Sequence, residues 1–143
     1  MPLDSSRVIK GEFGEIWKDG VHLSNFYEGE VVADISYERI RRSGSRTLGN
    51  KVGTIEYSGT ITGYKITSEL LEQIAQVTND NNKAFVCELI MKVRDPEHGG
   101  TERIRIKGVQ FTRIEFMRFS HGDVVTQELP FVADGVEWLD RLR

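Results

Sequence analysis

Residues 39–54 read RIRRSGSRTLGNKVGT and stand between two runs that alternate like β-strands. Five cations (Arg39, Arg41, Arg42, Arg46 and Lys51) occur in this stretch without one acidic residue, punctuated by three glycines and two serines. Before it, GEVVADISYERI places Val31, Ala33, Ile35 and Tyr37 on one face and Asp34, Ser36 and Glu38 on the other. After it, TIEYSGTITGYKIT carries Ile55, Tyr57 and Ile61 on one side, spaced by Gly59 and Gly63. Glycine inside a strand marks a bend, a bulge or a close backbone approach. The pattern predicts two strands joined by a basic arm far longer than the usual hairpin loop of about two to five residues. At ~3.3 Å per residue its limbs would each reach roughly 20 Å beyond the sheet. With Leu48 and Val52 as its apolar anchors, the arm reads as a flexible segment that orders against an acidic partner.

The rest of the chain also favours strands. EFGEIWKDGVHLSNFY holds two short apolar-alternating pieces around Asp19-Gly20, a dipeptide that tolerates the positive φ angles of a tight turn. TSELLEQIAQVTND is the helix candidate. Thr67 or Ser68 can cap it, Glu69 and Glu72 sit near its positive end, and Leu70, Leu71, Ile74 and Val77 form one stripe. AFVCELIMKVRD reads as a strand with Phe85, Cys87, Leu89, Met91 and Val93 facing one way. In TERIRIKGVQFTRIEF, Ile104 and Ile106 alternate with Arg103, Arg105 and Lys107; the phase slips at Gly108 before Val109 and Phe111, which predicts a bulge. DVVTQELPF supplies a last strand, and the tail GVEWLDRLR is expected to form a short helical turn. Together these predict one antiparallel β-domain over residues 1–143 with one helix.

With 143 residues, the chain can bury a core without staples. A hydrophobic share of 38% beside 29% charged residues fits a globular protein rather than a disordered one. The net charge of −3 argues against attraction of the whole surface to nucleic acid or anionic membrane, so any basic character is local. One cysteine excludes an internal disulfide and suits a reducing compartment. No apolar segment approaches ~18 residues and no cationic stretch precedes an apolar run at the N-terminus, so neither membrane anchoring nor a cleaved secretion signal is expected.

Little in the sequence points to catalysis. GSRTLGNK approaches a phosphate-cradling loop, but Asn50 separates Gly49 from Lys51, Val52 replaces the hydroxyl residue and a strand follows instead of a helix. Asp95, Glu97 and His98 could offer metal ligands, yet DPEHGG is good turn chemistry by itself and a solvated turn is expected. His121 and Asp123 flank Gly122 in another turn, and Cys87 reads as a small core residue. No nucleophile with orienting groups stands out, so no enzyme, metal or cofactor is expected. The stripe Arg103, Arg105, Lys107 lacks the interleaved aromatics of a single-strand binder; it reads as a solvated outer face, open to pairing with acidic residues of a neighbouring strand or subunit.

Acidic residues gather elsewhere: Glu12, Glu15, Asp19, Glu28, Glu30 and Asp34 near the start, Glu128, Asp134, Glu137 and Asp140 near the end. A basic projection and distant acidic patches suit a head-to-tail contact between copies, which closes into rings or repeats as stacks.

The chain resembles the XkdM-like family of phage tail tube proteins. The resemblance runs from GEFGEIWKDGVHL (11–23) through RRSGSRTLGNKVGTIEYSGTITGYKIT (41–67) to GGTERIRIKGVQF (99–111) and QELPF (127–131). It is carried most by TGYKITS at the end of the long hairpin and by the GTER turn into a strand. The resemblance implies a β-sandwich or barrel-like tail tube fold and a structural virion protein in the tail, assembled in the host bacterial cytoplasm. It implies hexameric rings in which each subunit gives four strands to a continuous inner barrel, with the helix outside. A flexible inter-subunit arm is placed at residues 40–54. Its contact residues Arg41, Arg42, Ser43, Gly44, Ser45, Arg46, Thr47, Leu48, Gly49, Asn50 and Lys51 would reach the adjacent ring. Gly53, Gly59 and Gly63 would let the long strands bend at the ring plane.

The implied partners are other copies of the chain, a tail sheath protein, a tape-measure protein and baseplate or initiator proteins. DNA passes through the lumen without specific binding in phages and is absent from bacteriocin-like particles. Because neutralised phosphates would slow transit, lumen-facing side chains are expected to be acidic or neutral, and the cations of the arm and of the 103–107 stripe turned toward protein. The rival reading is a monomeric β-domain that binds nucleic acid through the basic arm.

Overall fold

In the computed structural model, residues 4–11 and 14–142 are described; Glu12, counted above among the acids, lies outside them. Eight strands run in the order β2-β1-β5-β6-β7-β4-β3, with β8 added on β6. They are β1 (Glu15–Lys18), β2 (Val21–His22), β3 (Phe26–Arg41), β4 (Leu48–Tyr64), β5 (Cys87–Asp95), β6 (Gly100–Phe111), β7 (Thr126–Ala133) and β8 (Gly135–Asp140). Every pairing is antiparallel. Asp19 and Gly20 carry the positive φ angles, 49° and 85°, of the tight turn between β1 and β2.

The chain folds into two sheets because β6 serves both. One edge of β6 pairs with β5; the other pairs first with β8 over Arg103–Lys107 and then with β7 at Gln110 and Phe111. The bulge expected at Gly108 lies at this change of partner: Cys87 and Leu89 of β5 face Val109 and Ile106. Gly108 has φ 64°, and the Asp134 carboxylate occupies the space a β-carbon would need. Asp134 links β7 to β8 and donates its N–H to the Lys107 carbonyl at 2.8 Å.

Between the sheets lies the core. Ile16, Leu89 and Ile106 come from one side, Ile61, Leu129 and Phe131 from the other, with Val109 at the junction. Phe111 meets Phe131 edge to face, centroids 6.1 Å apart. The helix α1 (Glu69–Ala75) follows β4 and adds Leu71 and Ile74 to this core. Ser68 stands at its N-cap without a side-chain capping bond, and Thr67 Oγ1 just before it accepts the Glu69 N–H at 2.9 Å.

Four expectations are corrected. The tail is a strand, not a helical turn: Val136 and Trp138 stand opposite Ile106 and Ile104, and that pairing outweighs the local helical tendency. Val77 is half exposed, because α1 gives way to a 3-10 turn at Gln76–Thr78 that rotates it off the stripe. Phe85 precedes β5 rather than belonging to it. Asp95 is buried, not solvated: its carboxylate accepts the N–H groups of Lys10 at 3.0 Å and Glu97 at 2.9 Å. Those bonds, Lys10 first, hold its carboxyl below the ordinary range. Among the described residues, no group of three or more His, Cys, Asp or Glu converges to hold a metal.

Candidate assembly surface

The hairpin of β3 and β4 dominates the surface. The structure zips it much further than the sequence suggested: Glu38, Arg39, Ile40 and Arg41 stand opposite Lys51, Asn50, Gly49 and Leu48, leaving residues 42–47 as the turn. Gly44 takes φ 74° there, and Ser45 Oγ accepts the Thr47 N–H at 3.1 Å. The Arg42 guanidinium lies over Gly49, its Nε 3.0 Å from the place of a β-carbon. The expected long loop was a misreading of Leu48–Val52, whose polar and glycine residues are paired strand.

β4 pairs with β7 from Tyr57 to Tyr64, whereas among the described residues Leu48–Glu56 pairs with β3 alone. At ~3.3 Å per residue the unsupported part projects roughly 25–30 Å. Ile35 faces Ile55 and Tyr37 faces Val52, so Gly53 and Thr54 together oppose Ser36 in a bulge. The Ser36 and Thr54 hydroxyls, 2.6 Å apart, stitch it. Gly59 and Gly63 are sites of close approach: a β-carbon would stand 2.6 Å from Phe131 Cζ at the first and 2.5 Å from the Asn25 carbonyl oxygen at the second.

Strand alternation gives the hairpin two chemically opposite faces. One continues the core face outward as Val31, Ala33, Ile35, Tyr37, Leu48, Val52, Ile55 and Tyr57, joined near the tip by Arg39 and Arg41. None of the described residues covers its outer half: Ile35 is 49%, Tyr37 57%, Val52 53% and Ile55 49% exposed. The opposite face carries Glu28, Glu30, Asp34, Glu38, Glu56 and, on β7, Glu128, among Ser58, Thr60 and Thr62, with Val32, Ile40 and Val132 as its exposed apolar members. Lys51 is the cation among these paired positions. Asp34 stands directly opposite Glu56, a like-charge pairing that costs stability. β3 is also an edge strand of 16 residues. Long edges of this kind invite further strands.

The cationic stripe on β6 is satisfied within the chain. Arg103 meets Asp140 at 3.1 Å, Arg105 makes a forked pair with Glu88 at 2.7 and 2.9 Å, and Lys107 reaches Glu137 at 2.7 Å. The arm cations Arg39, Arg41, Arg42, Arg46 and Lys51 make no ion pair among the described residues. Sequence reading missed the 112–125 segment, where Phe116, Met117 and Phe119 are exposed and Arg113 and Arg118 both reach Glu115. The run of apolar residues in IEFMRF was the available signal.

A model of the phage tail tube protein family matches residues 1–140. The chain is 23% identical to the YqbM protein of Bacillus subtilis over 146 residues, covering 100% of this chain and 98% of the relative. It is likewise 23% identical over 145 residues to XkdM of the phage-like element PBSX of Bacillus subtilis, covering 99% and 97%. Its fold is shared with a chain of the PVC sheath-tube complex, an extracellular contractile injection system in the extended state. There the TM-score is 0.73 at 16% identity, over 94% of this chain and 93% of that one. The chain belongs to the phage tail tube protein family.

Proposed function

We propose that this protein is the repeating, non-catalytic subunit of the inner tube of a contractile tail, arranged as stacked hexameric rings. The observation that carries the reading is the two-faced hairpin: an uncovered apolar face and a free 16-residue edge need a neighbour, while the acidic face suits solvent. In a ring the acidic face lines the bore, where Glu28, Glu30 and Glu128 repel phosphate and let DNA slide. The arm, Arg41 to Lys51, bridges to the adjacent ring. A sheath outside, a tape-measure protein within and a baseplate at the end complete the particle. Kinship in fold to a sheath-tube complex supports the first of these partners.

The test is electron microscopy of concentrated protein, which on this reading shows rings or tubes. Deleting Arg42–Lys51 leaves Glu38–Arg41 as a short connection between the paired Tyr37 and Val52, away from the core. The variant should melt like the parent and build no tubes. A deletion that unfolds the protein, or one that still polymerises, refutes the role of the arm. The unpaired arm cations keep nucleic-acid binding as the rival; a salt-sensitive mobility shift by a chain that stays monomeric at every concentration would favour it.

A further inference from the structure

We propose that the cleft between the two sheets, centred on Glu102, is the socket for the hairpin arm of a second copy of this chain. The inference rests on the tube reading and names the acceptor of its inter-subunit contact.

The cleft holds about 470 Å³ between the base of β3 and the facing sheet, with Ile16, Val31, Met91 and Ile104 among its apolar walls. A second hollow of about 400 Å³ shares Val31, Glu102 and Ile104 with it and continues toward Trp138. Glu102 pairs with Val93 on the face of β6 that carries Ile104, so its carboxylate shares an apolar wall. It is half-buried and makes no ion pair among the described residues; Glu15, Glu28 and Glu30 also line the cleft, against the single cation Lys92, so the cleft is net acidic. The cations beside it on β6 are already taken: Arg103 by Asp140, Arg105 by Glu88. A carboxylate drawn from water without a partner is costly, and a guanidinium is its natural complement.

The arm presents that complement. Leu48 and Val52 share one face of the hairpin with Arg39 and Arg41, which combines aliphatic side chains and unpaired guanidiniums on one ribbon. The 112–125 segment is the competing occupant, with exposed aromatics, but both its arginines are held by Glu115. Charge therefore selects the arm.

A charge swap in the full-length protein tests the socket. Glu102→Arg reverses the charge at that one position of the cleft; Arg39→Glu with Arg41→Glu reverses it on the arm face that carries Leu48 and Val52, with Arg42, Arg46 and Lys51 left in place. Circular dichroism melts establish that both variants fold, and Glu102→Lys serves if Glu102→Arg does not. Each variant alone should lose at least ~tenfold of its sedimentable tubes, and an equimolar mixture should recover them, because every arm then finds an opposite cleft. Folded single variants that polymerise like the parent, or a mixture as inert as its parts, overturn the socket. Recovery with Arg118→Glu instead would assign the cleft to the 112–125 segment and equally overturn it. A parent chain that forms no tubes in the same assay strikes at the tube reading itself.

Discussion

Phe131 stands directly across from Gly59, its Cζ 2.6 Å from the place where a β-carbon on that glycine would lie. The Glu30 carbonyl oxygen closes the same space from the other side, and it is backbone, unable to move aside. Gly59 is thus fixed by the ring that fills the core above it. Gly59→Ala should destabilise the fold by ~1–3 kcal/mol through overpacking, read as a lower urea midpoint at unchanged slope. Gly135 has nothing within 4 Å of its missing β-carbon, so Gly135→Ala should stay within ~0.5 kcal/mol of the parent. Equal effects at both positions would refute the packing argument.

Acid should loosen the molecule through two carboxylates. The Lys107 ammonium, then Arg105, hold Glu137 below its ordinary 4.5, and the N–H groups of Lys10 and Glu97 hold Asp95 below 3.8. A depressed folded value means stability that is complete above the ordinary range and lost as pH falls through the folded one. The melting temperature should therefore drop from about pH 5 to pH 3. Lys107→Met removes the main cause at Glu137 and should make that drop shallower. An identical acid slope in parent and variant would exclude the pair as a contributor. Because Glu137 and Lys107 are both more than 40% exposed, 1 M salt should flatten the slope as well.

Most strands and the bulge at Gly108 were legible, because alternation and one misplaced glycine are local signals. The 103–107 stripe was read as a solvated outer face open to acidic neighbours; the structure supplies Glu88, Glu137 and Asp140 as its partners. The error at the tail came from the same source. Glu137 between Val136 and Trp138 already alternates, but its two cations lie some thirty residues upstream, and nothing local reveals that pairing. The arm was misjudged for a different reason. Strand pairing of Arg39–Arg41 with Leu48–Asn50 depends on backbone groups, to which composition is nearly blind. The groups around Glu102 come from β1, β3, β5 and β6, so no single window of sequence could display the cleft.

Cys87 should behave as a sealed thiol. It is 5% exposed on the core face of β5, and burial, aided by the Asp19 carboxylate, pushes its thiol up to about 12. In the native protein a thiol reagent at about pH 8 should label it only as fast as the fold opens, and at once in denaturant. The raised value also works against the fold in base: stability is intact below the ordinary 9.0 and declines as pH climbs from there toward 12. Cys87→Ala should flatten that alkaline decline. Rapid labelling of the folded chain would contradict the burial.

The arm should open long before the body does. Leu48–Glu56 has β3 as its one paired neighbour, the ladder is interrupted at Gly53–Thr54, and the Ser36 hydroxyl accepts the Thr54 N–H at 3.2 Å in compensation. A two-stranded ribbon without a third strand is marginal in water. Amide exchange in the free monomer should therefore be at least ~100-fold faster from Leu48 to Ile55 than at Ile61, which is fully buried between β3 and β7. Thr54→Val removes the hydroxyl stitch, worth ~1 kcal/mol, and should speed arm exchange a further ~fivefold while leaving the melting temperature unchanged. On assembly the arm amides should become as slow as those of Ile61, since the ribbon then gains the cover it lacks. Arm amides already protected to that level in the monomer would mean that the projection needs no partner to hold its shape.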